Sequence, residues 1–118
     1  MTKKLSHGFR AARNGFKDVL IKEKNFKIML IIAFLIIGMM FYFPTSRIEK
    51  VALLIMIFSV LILELINSVI ERLLDFLHPL PDEQIKTIKD LTAAIVLVIG
   101  IGVAIIGLVI FLPYLPYL

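Results

Sequence analysis

Val51-Ala-Leu-Leu-Ile-Met-Ile-Phe-Ser-Val-Leu-Ile-Leu-Glu64-Leu-Ile-Asn67-Ser-Val-Ile-Glu71-Arg-Leu-Leu-Asp75 is an apolar run that acquires three carboxylates and an amide only in its second half. At about 100° per residue, positions 64, 67, 71 and 75 fall within roughly 80° of one helix face. Charge inside a bilayer costs about 2.5–3.5 kcal/mol per group on insertion scales, so it is rare there and tied to function. A row of acids on one face, close to the water boundary, is what a divalent cation and a phosphate donor need.

The rest of the chain agrees that this run crosses a membrane. Of 118 residues, 60% are hydrophobic, and the mean hydropathy is +1.00. That is well above the roughly 45–50% apolar content of soluble domains, and leaves one small membrane domain over 1–118. The first residues, Met1-Thr-Lys3-Lys4-Leu-Ser-His-Gly, lack the apolar core and small-residue cleavage site of a signal peptide. Cysteine is absent, which excludes thiol catalysis, disulfides and Cys-ligated zinc.

Eight of the thirteen Lys and Arg lie before residue 28: Lys3, Lys4, Arg10, Arg13, Lys17, Lys22, Lys24 and Lys27. In so apolar a chain this bias points to anionic lipid headgroups and away from nucleic acid. Leu5, Phe9, Ala12, Phe16 and Val19/Leu20 recur at helical spacing, so residues 5–22 read as a basic amphipathic helix lying on the membrane surface. Spans are expected at 28–43, 51–74 and 91–112, with a polar cytoplasmic loop over 75–90. The first is short, and the Asn25-Phe26 end extends it. Positive-inside counting puts the N-terminus, the acid row and the 75–90 loop in the cytoplasm, with the C-terminus and its tyrosines outside.

Four groups converge on the cytoplasmic surface in this topology: Glu23; Glu64, Asn67, Glu71 and Asp75; Lys86; and Lys89-Asp90. Carboxylates suit Mg²⁺, which takes one or two acids plus phosphate oxygens. A lysine would neutralise a transferring phosphoryl group, and a carboxylate could take the proton of an attacking hydroxyl. Each residue also has a plainer reading. Glu23 fits a solvated i,i+4 partner of Lys27, Asp75 a helix-end acid, Asn67 inter-helix glue, and Lys89-Asp90 interfacial charge. Glu64 and Glu71 resist that treatment, with no basic partner one turn away, Arg72 pointing elsewhere on the helix. Gly100-Ile-Gly102 and Gly107 follow no strand, so they read as small residues for close helix contact, not a nucleotide loop. His7 and His78 are isolated.

Glu23-Lys-Asn25-Phe26, Glu64-Leu-Ile-Asn67-Ser-Val-Ile-Glu71, Asp75 and the later Lys89-Asp90 together resemble the prokaryotic diacylglycerol kinase family of small membrane lipid kinases, which includes undecaprenol kinases. The resemblance covers nearly the whole chain. It implies an all-α integral membrane protein of the bacterial inner membrane: an N-terminal surface helix and three transmembrane helices, assembled as a homotrimer. It further implies transfer of the γ-phosphoryl of ATP, with Mg²⁺, to a membrane lipid alcohol, either diacylglycerol or undecaprenol. By the same resemblance Glu64 is the general base, Glu23 and Glu71 hold the metal, and Asn67 orders the site. Lys89 meets the ATP phosphates, while Asp75 and Asp90 lie around the nucleoside. The chain departs from the family at Ile88 and Ile95, where relatives carry small residues. Its 78–83 loop lacks a common histidine pair, so no binding residue is assigned there. The opposing reading is a non-enzymatic membrane protein, either an ion-conducting oligomer carrying ions on Glu64 and Glu71 or an assembly subunit.

Overall fold

The computed structural model describes residues 2–118. It contains four α-helices in chain order, α1 (Thr2–Lys22), α2 (Lys24–Tyr42), α3 (Arg47–Leu77) and α4 (Glu83–Phe111), then a short 3-10 helix, Leu112–Tyr117. No strand occurs among the described residues.

Each helix stops for a local reason. The break between α1 and α2 is a single extended residue, Glu23, at φ −113° and ψ 114°. Tyr42 ends α2 because Pro44 forces Phe43 into an extended conformation, φ −87° and ψ 152°. Ser46 and Glu49 then start α3 with a reciprocal cap: the Glu49 amide donates to Ser46 Oγ at 3.1 Å, and the Ser46 amide to Glu49 Oε1 at 2.8 Å. Pro79 and Pro81 lie in the next break, and Asp82 caps α4 by accepting from the Gln84 amide at 2.7 Å.

These breaks correct two expectations. The polar stretch 75–90 is mostly helical: α3 continues to Leu77, α4 begins at Glu83, and only residues 78–82 connect them. Polarity there marks departure from lipid rather than loss of helix, because Glu-Gln-Ile-Lys-Thr-Ile-Lys behind an Asp cap is a sound helix start. The glycines of α4 also do not mediate close contact within the chain. A Cβ built on Gly100, Gly102 or Gly107 meets nothing within 4 Å. Gly100 and Gly107 instead line an apolar groove of about 690 Å³, shared with Ala33 and Ile36 of α2 and Leu53 of α3.

Among the described residues three helices are long and apolar enough to cross a membrane: α2, α3, and α4 with its 3-10 extension. At 1.5 Å per residue α3 is about 46 Å long, well over the roughly 30 Å hydrocarbon core, so it projects into water. Helix α3 packs against both α2 and α4, while α1 packs on α2. The result is a flat bundle of 53 × 44 × 22 Å. A thickness of 22 Å is near two helix diameters, which leaves no room for an enclosed core. The main apolar cluster sits at the Pro44 end, where Met40, Phe43, Leu53, Met56, Ile110 and Phe111 bury one another. Elsewhere Phe34, Phe58, Leu97 and many other large apolar side chains are exposed, as a lipid-facing surface demands.

Candidate functional site

At the opposite end of the bundle the chain turns from α1 into α2 beside the second half of α3. The turn is pinned by Phe26, fully buried, with the Phe16 ring meeting it edge-on at 5.3 Å and 82°. Glu23 occupies the turn and makes no side-chain bond to the start of its own helix. Its carboxylate reaches α3 instead. Ser68 Oγ donates to Glu23 Oε2, and Arg72 Nη2 donates to Glu23 Oε1 at 3.3 Å. Lys27, expected one turn on, is not among its ion-pair partners.

Ser68 is one turn beyond Glu64, and its Oγ also lies 3.1 Å from the Glu64 carbonyl oxygen. A hydroxyl has one proton to give, and the charged carboxylate is the stronger acceptor. Arg72, a turn further, spends its other edge on α1: Nη1 donates to Asp18 Oδ2. Lys22 Nζ stands 3.0 Å from Asp18 Oδ1. The Arg72 guanidinium, and after it the Lys22 ammonium, hold the Asp18 carboxyl below its ordinary range.

The acid row therefore runs from buried to exposed along one face. Glu64 is 4% exposed. Asn67 is half-buried, and its side-chain oxygen is sealed from solvent with no hydrogen-bond partner. Glu71 and Asp75 are exposed. The turn-by-turn change follows the helix out of the bundle, so residues sharing one angular face sit at different depths. Lys89 of α4 meets the row at its outer end, Nζ donating to Asp75 Oδ1 at 2.6 Å. Beside this pair the 78–82 connection borders an open cleft of about 560 Å³, lined by His78, Lys86 and Lys89 among others.

Two expected site residues stand apart from these contacts: among the described residues neither Glu71 nor Asp90 forms an ion pair. No three acids or histidines among the described residues converge into a group that could hold a metal ion by themselves. Sequence reasoning missed Asp18, Ser68 and Arg72. Ser68 and Arg72 follow Glu64 at i+4 and i+8, along an edge of the same face, and that spacing was the available signal. Arg72 indeed avoids Glu71, but it points toward Glu23 and into the site. Nothing local marked Asp18, which reaches the site from the C-terminal end of α1, beside the break at Glu23.

The arrangement offers a buried carboxylate, a carboxylate oriented by two donors, an unpaired amide oxygen and a lysine held at an acid, all at one end of a membrane bundle. A search of curated proteins returns no match to the chain. A family model does match it. Prokaryotic diacylglycerol kinase aligns with residues 10–111, from the middle of α1 to the last residue of α4 and across the whole acid row, and the chain belongs to that family.

Proposed function

We infer that the protein is a lipid kinase that transfers the γ-phosphoryl of ATP, with Mg²⁺, to the hydroxyl of a membrane lipid alcohol. Membership in a lipid kinase family supports the reaction class. The observation that carries the assignment of the site is the burial of Glu64 in the same turn-and-helix corner where Ser68 and Arg72 hold Glu23. A carboxylate kept from water at a membrane boundary is suited to a hydroxyl that arrives from the lipid side.

In this reading Glu64 accepts the proton of the lipid hydroxyl as its oxygen forms a bond to the γ-phosphorus. The bond from that phosphorus to the β-bridging oxygen breaks, and ADP leaves. Lys89 turns from Asp75 to the phosphates, a short movement for a flexible ammonium. Asp75 and Asp90 flank the nucleoside. Glu23 and Glu71 would hold Mg²⁺, with the unpartnered Asn67 oxygen ordering the site beside them. The donors fit that ion: they are hard oxygens, and Mg²⁺ takes only one or two carboxylates when phosphate and water complete its shell. When bound, the ion neutralises charge building on the transferring phosphoryl group.

The eight basic residues before residue 28 support a cytoplasmic N-terminus and site by the positive-inside rule, and the prokaryotic family supports a bacterial inner membrane. On this topology α1 lies along the headgroups with Leu5 and Phe9, both exposed in the single chain, toward the lipid. A homotrimer fits the same surface, since it would cover apolar helix faces and shield the site from lipid.

The test is phosphate transfer from γ-labelled ATP in mixed micelles, with diacylglycerol and undecaprenol offered in parallel. Lipid-dependent labelling of either alcohol is expected, and it should be absent in Glu64→Gln protein of unchanged thermal stability. Ion flux through liposomes without nucleotide, with no labelled lipid, would overturn the reading.

A further inference from the structure

Arg72 is placed as few surface arginines are. It lies on α3, its side chain about half exposed, and touches acids from two other segments: Asp18 of α1 and Glu23 at the turn into α2. A cation beside a carboxylate meant to bind Mg²⁺ ought to be harmful, because it repels the ion and competes for the oxygen. Two details weaken both objections. Asp18 is itself held ionised between Arg72 and Lys22, so it offsets part of the positive charge that Arg72 brings to Glu23. The contact to Glu23 is also sparing: Arg72 takes one lone pair of Oε1 at 3.3 Å, and Ser68 takes one of Oε2. An ionised carboxylate has about four acceptor sites, so each oxygen keeps one free.

Donors that grip a ligating carboxylate without consuming it orient it for a cation, and their loss typically costs 10–100-fold in metal affinity or activity. We propose that Arg72, partly charge-compensated by Asp18, is a positioning residue that fixes the Glu23 carboxylate for Mg-nucleotide, and that this ties occupancy of the site to docking of the C-terminal end of α1. The proposal rests on the lipid kinase reading. The coupling is structural: the fork that aims Glu23 also ties the C-terminal end of α1 to α3 through Asp18. Lysine cannot replace it, because one ammonium lacks the planar fork that meets two carboxylates on separate segments.

The test uses the full chain in micelles and follows Mn²⁺ as a paramagnetic substitute, with a non-hydrolysable ATP analogue. The amount of free Mn²⁺ gives affinity without turnover. Arg72→Ala should weaken Mn²⁺ binding by about 10–100-fold and raise the Mg²⁺ concentration for half-maximal activity in proportion, with a smaller fall in kcat. Arg72→Lys, which keeps charge and bulk and guards against misfolding, should fall between the two. The deciding variant is the exchange Asp18→Arg with Arg72→Asp. It rebuilds the α1–α3 ion pair but leaves Glu23 facing an acid, so hydrogen exchange of α1 should return to the wild-type rate while Mn²⁺ affinity stays low. Recovery of Mn²⁺ affinity in the exchanged protein would reduce Arg72 to a strut for α1 and overturn the proposal. So would wild-type affinity in folded Arg72→Ala protein. Neither result touches the kinase reading, which falls only if wild-type protein transfers no phosphate to lipid.

Discussion

The two ends of this bundle use the same kinds of residue to opposite effect. At the Pro44 end the polar groups are paired off. Thr45 Oγ1 donates to the Met40 carbonyl at 2.8 Å, Lys50 Nζ to the Thr45 carbonyl at 2.6 Å, and Tyr114 Oη to Glu49 at 2.5 Å. Around them the Phe43, Phe111 and Tyr114 rings pack onto Leu53 and Met56. At the Glu23 end Glu64 is buried without an ion pair, the Asn67 oxygen has no partner, and Glu71 and Asp75 face water. Buried polar groups are normally satisfied, so an end that leaves them open has given up stability for something else. A glutamate therefore stands differently at the two ends: Glu49 completes a cap, while Glu64 is buried with no ion-pair partner.

Substitutions at each end should separate activity from stability. The largest effect on activity is expected from Glu64→Gln, which keeps shape but cannot take a proton. General-base loss lowers turnover by about 10²–10⁴-fold, and the melting temperature should hold or rise because an acid leaves a buried site. Kinetics and a thermal melt on one preparation decide it. The mirror experiment is Leu53→Ala, at a fully buried side chain of the other end. It should cost about 2–5 kcal/mol, read by denaturant unfolding in micelles, while turnover per folded molecule stays near wild type. If the Leu53 variant lost activity and kept its stability, the division between the ends would be wrong.

Ser46→Ala is a finer version of the same comparison. It removes one half of the reciprocal cap that begins α3, where hydroxyl loss typically costs about 0.5–2 kcal/mol. Because the site lies about five to eight turns further along α3, the Mg²⁺ dependence of activity should not move. A shifted Mg²⁺ dependence would mean that strain travels the length of α3.

How far these ends could be read from sequence differs as well. Three apolar helices and the row at 64, 67, 71 and 75 were legible because both rest on helical period, a property of neighbouring residues. The start of α4 was not, since polar residues from Glu83 onward say that the chain has left lipid but not that it has left the helix. The partners of Glu23 were hidden for another reason. Ser68 and Arg72 lie 45 and 49 residues away, and they meet Glu23 because one extended residue, neither proline nor glycine, breaks the chain between α1 and α2 beside α3. Period places residues on a face; it does not say what comes to that face from elsewhere in the chain.

The smallest expected effect lies at that junction and depends on pH. Asp18 is held below its ordinary value of 3.8 by Arg72 and Lys22, so in the unfolded chain it takes up a proton at higher pH than in the folded one. Its contribution is therefore fully present above about pH 4 and is lost as the pH falls through the depressed folded value. The Asp18 side chain is 35% exposed and its ion pairs are partly screened, so the change concerns the docking of α1 rather than global unfolding. A pair of spin labels, one on α1 and one on α3, should report a broader distance distribution below pH 4 and again in high salt at neutral pH. Asp18→Asn should show the broad distribution at every pH. If acid broadened the distribution while salt did not, protonation elsewhere at the Glu23 corner would be responsible. The open end of the bundle would then be governed by its own acids, and not by the ion pair that clasps α1 to it.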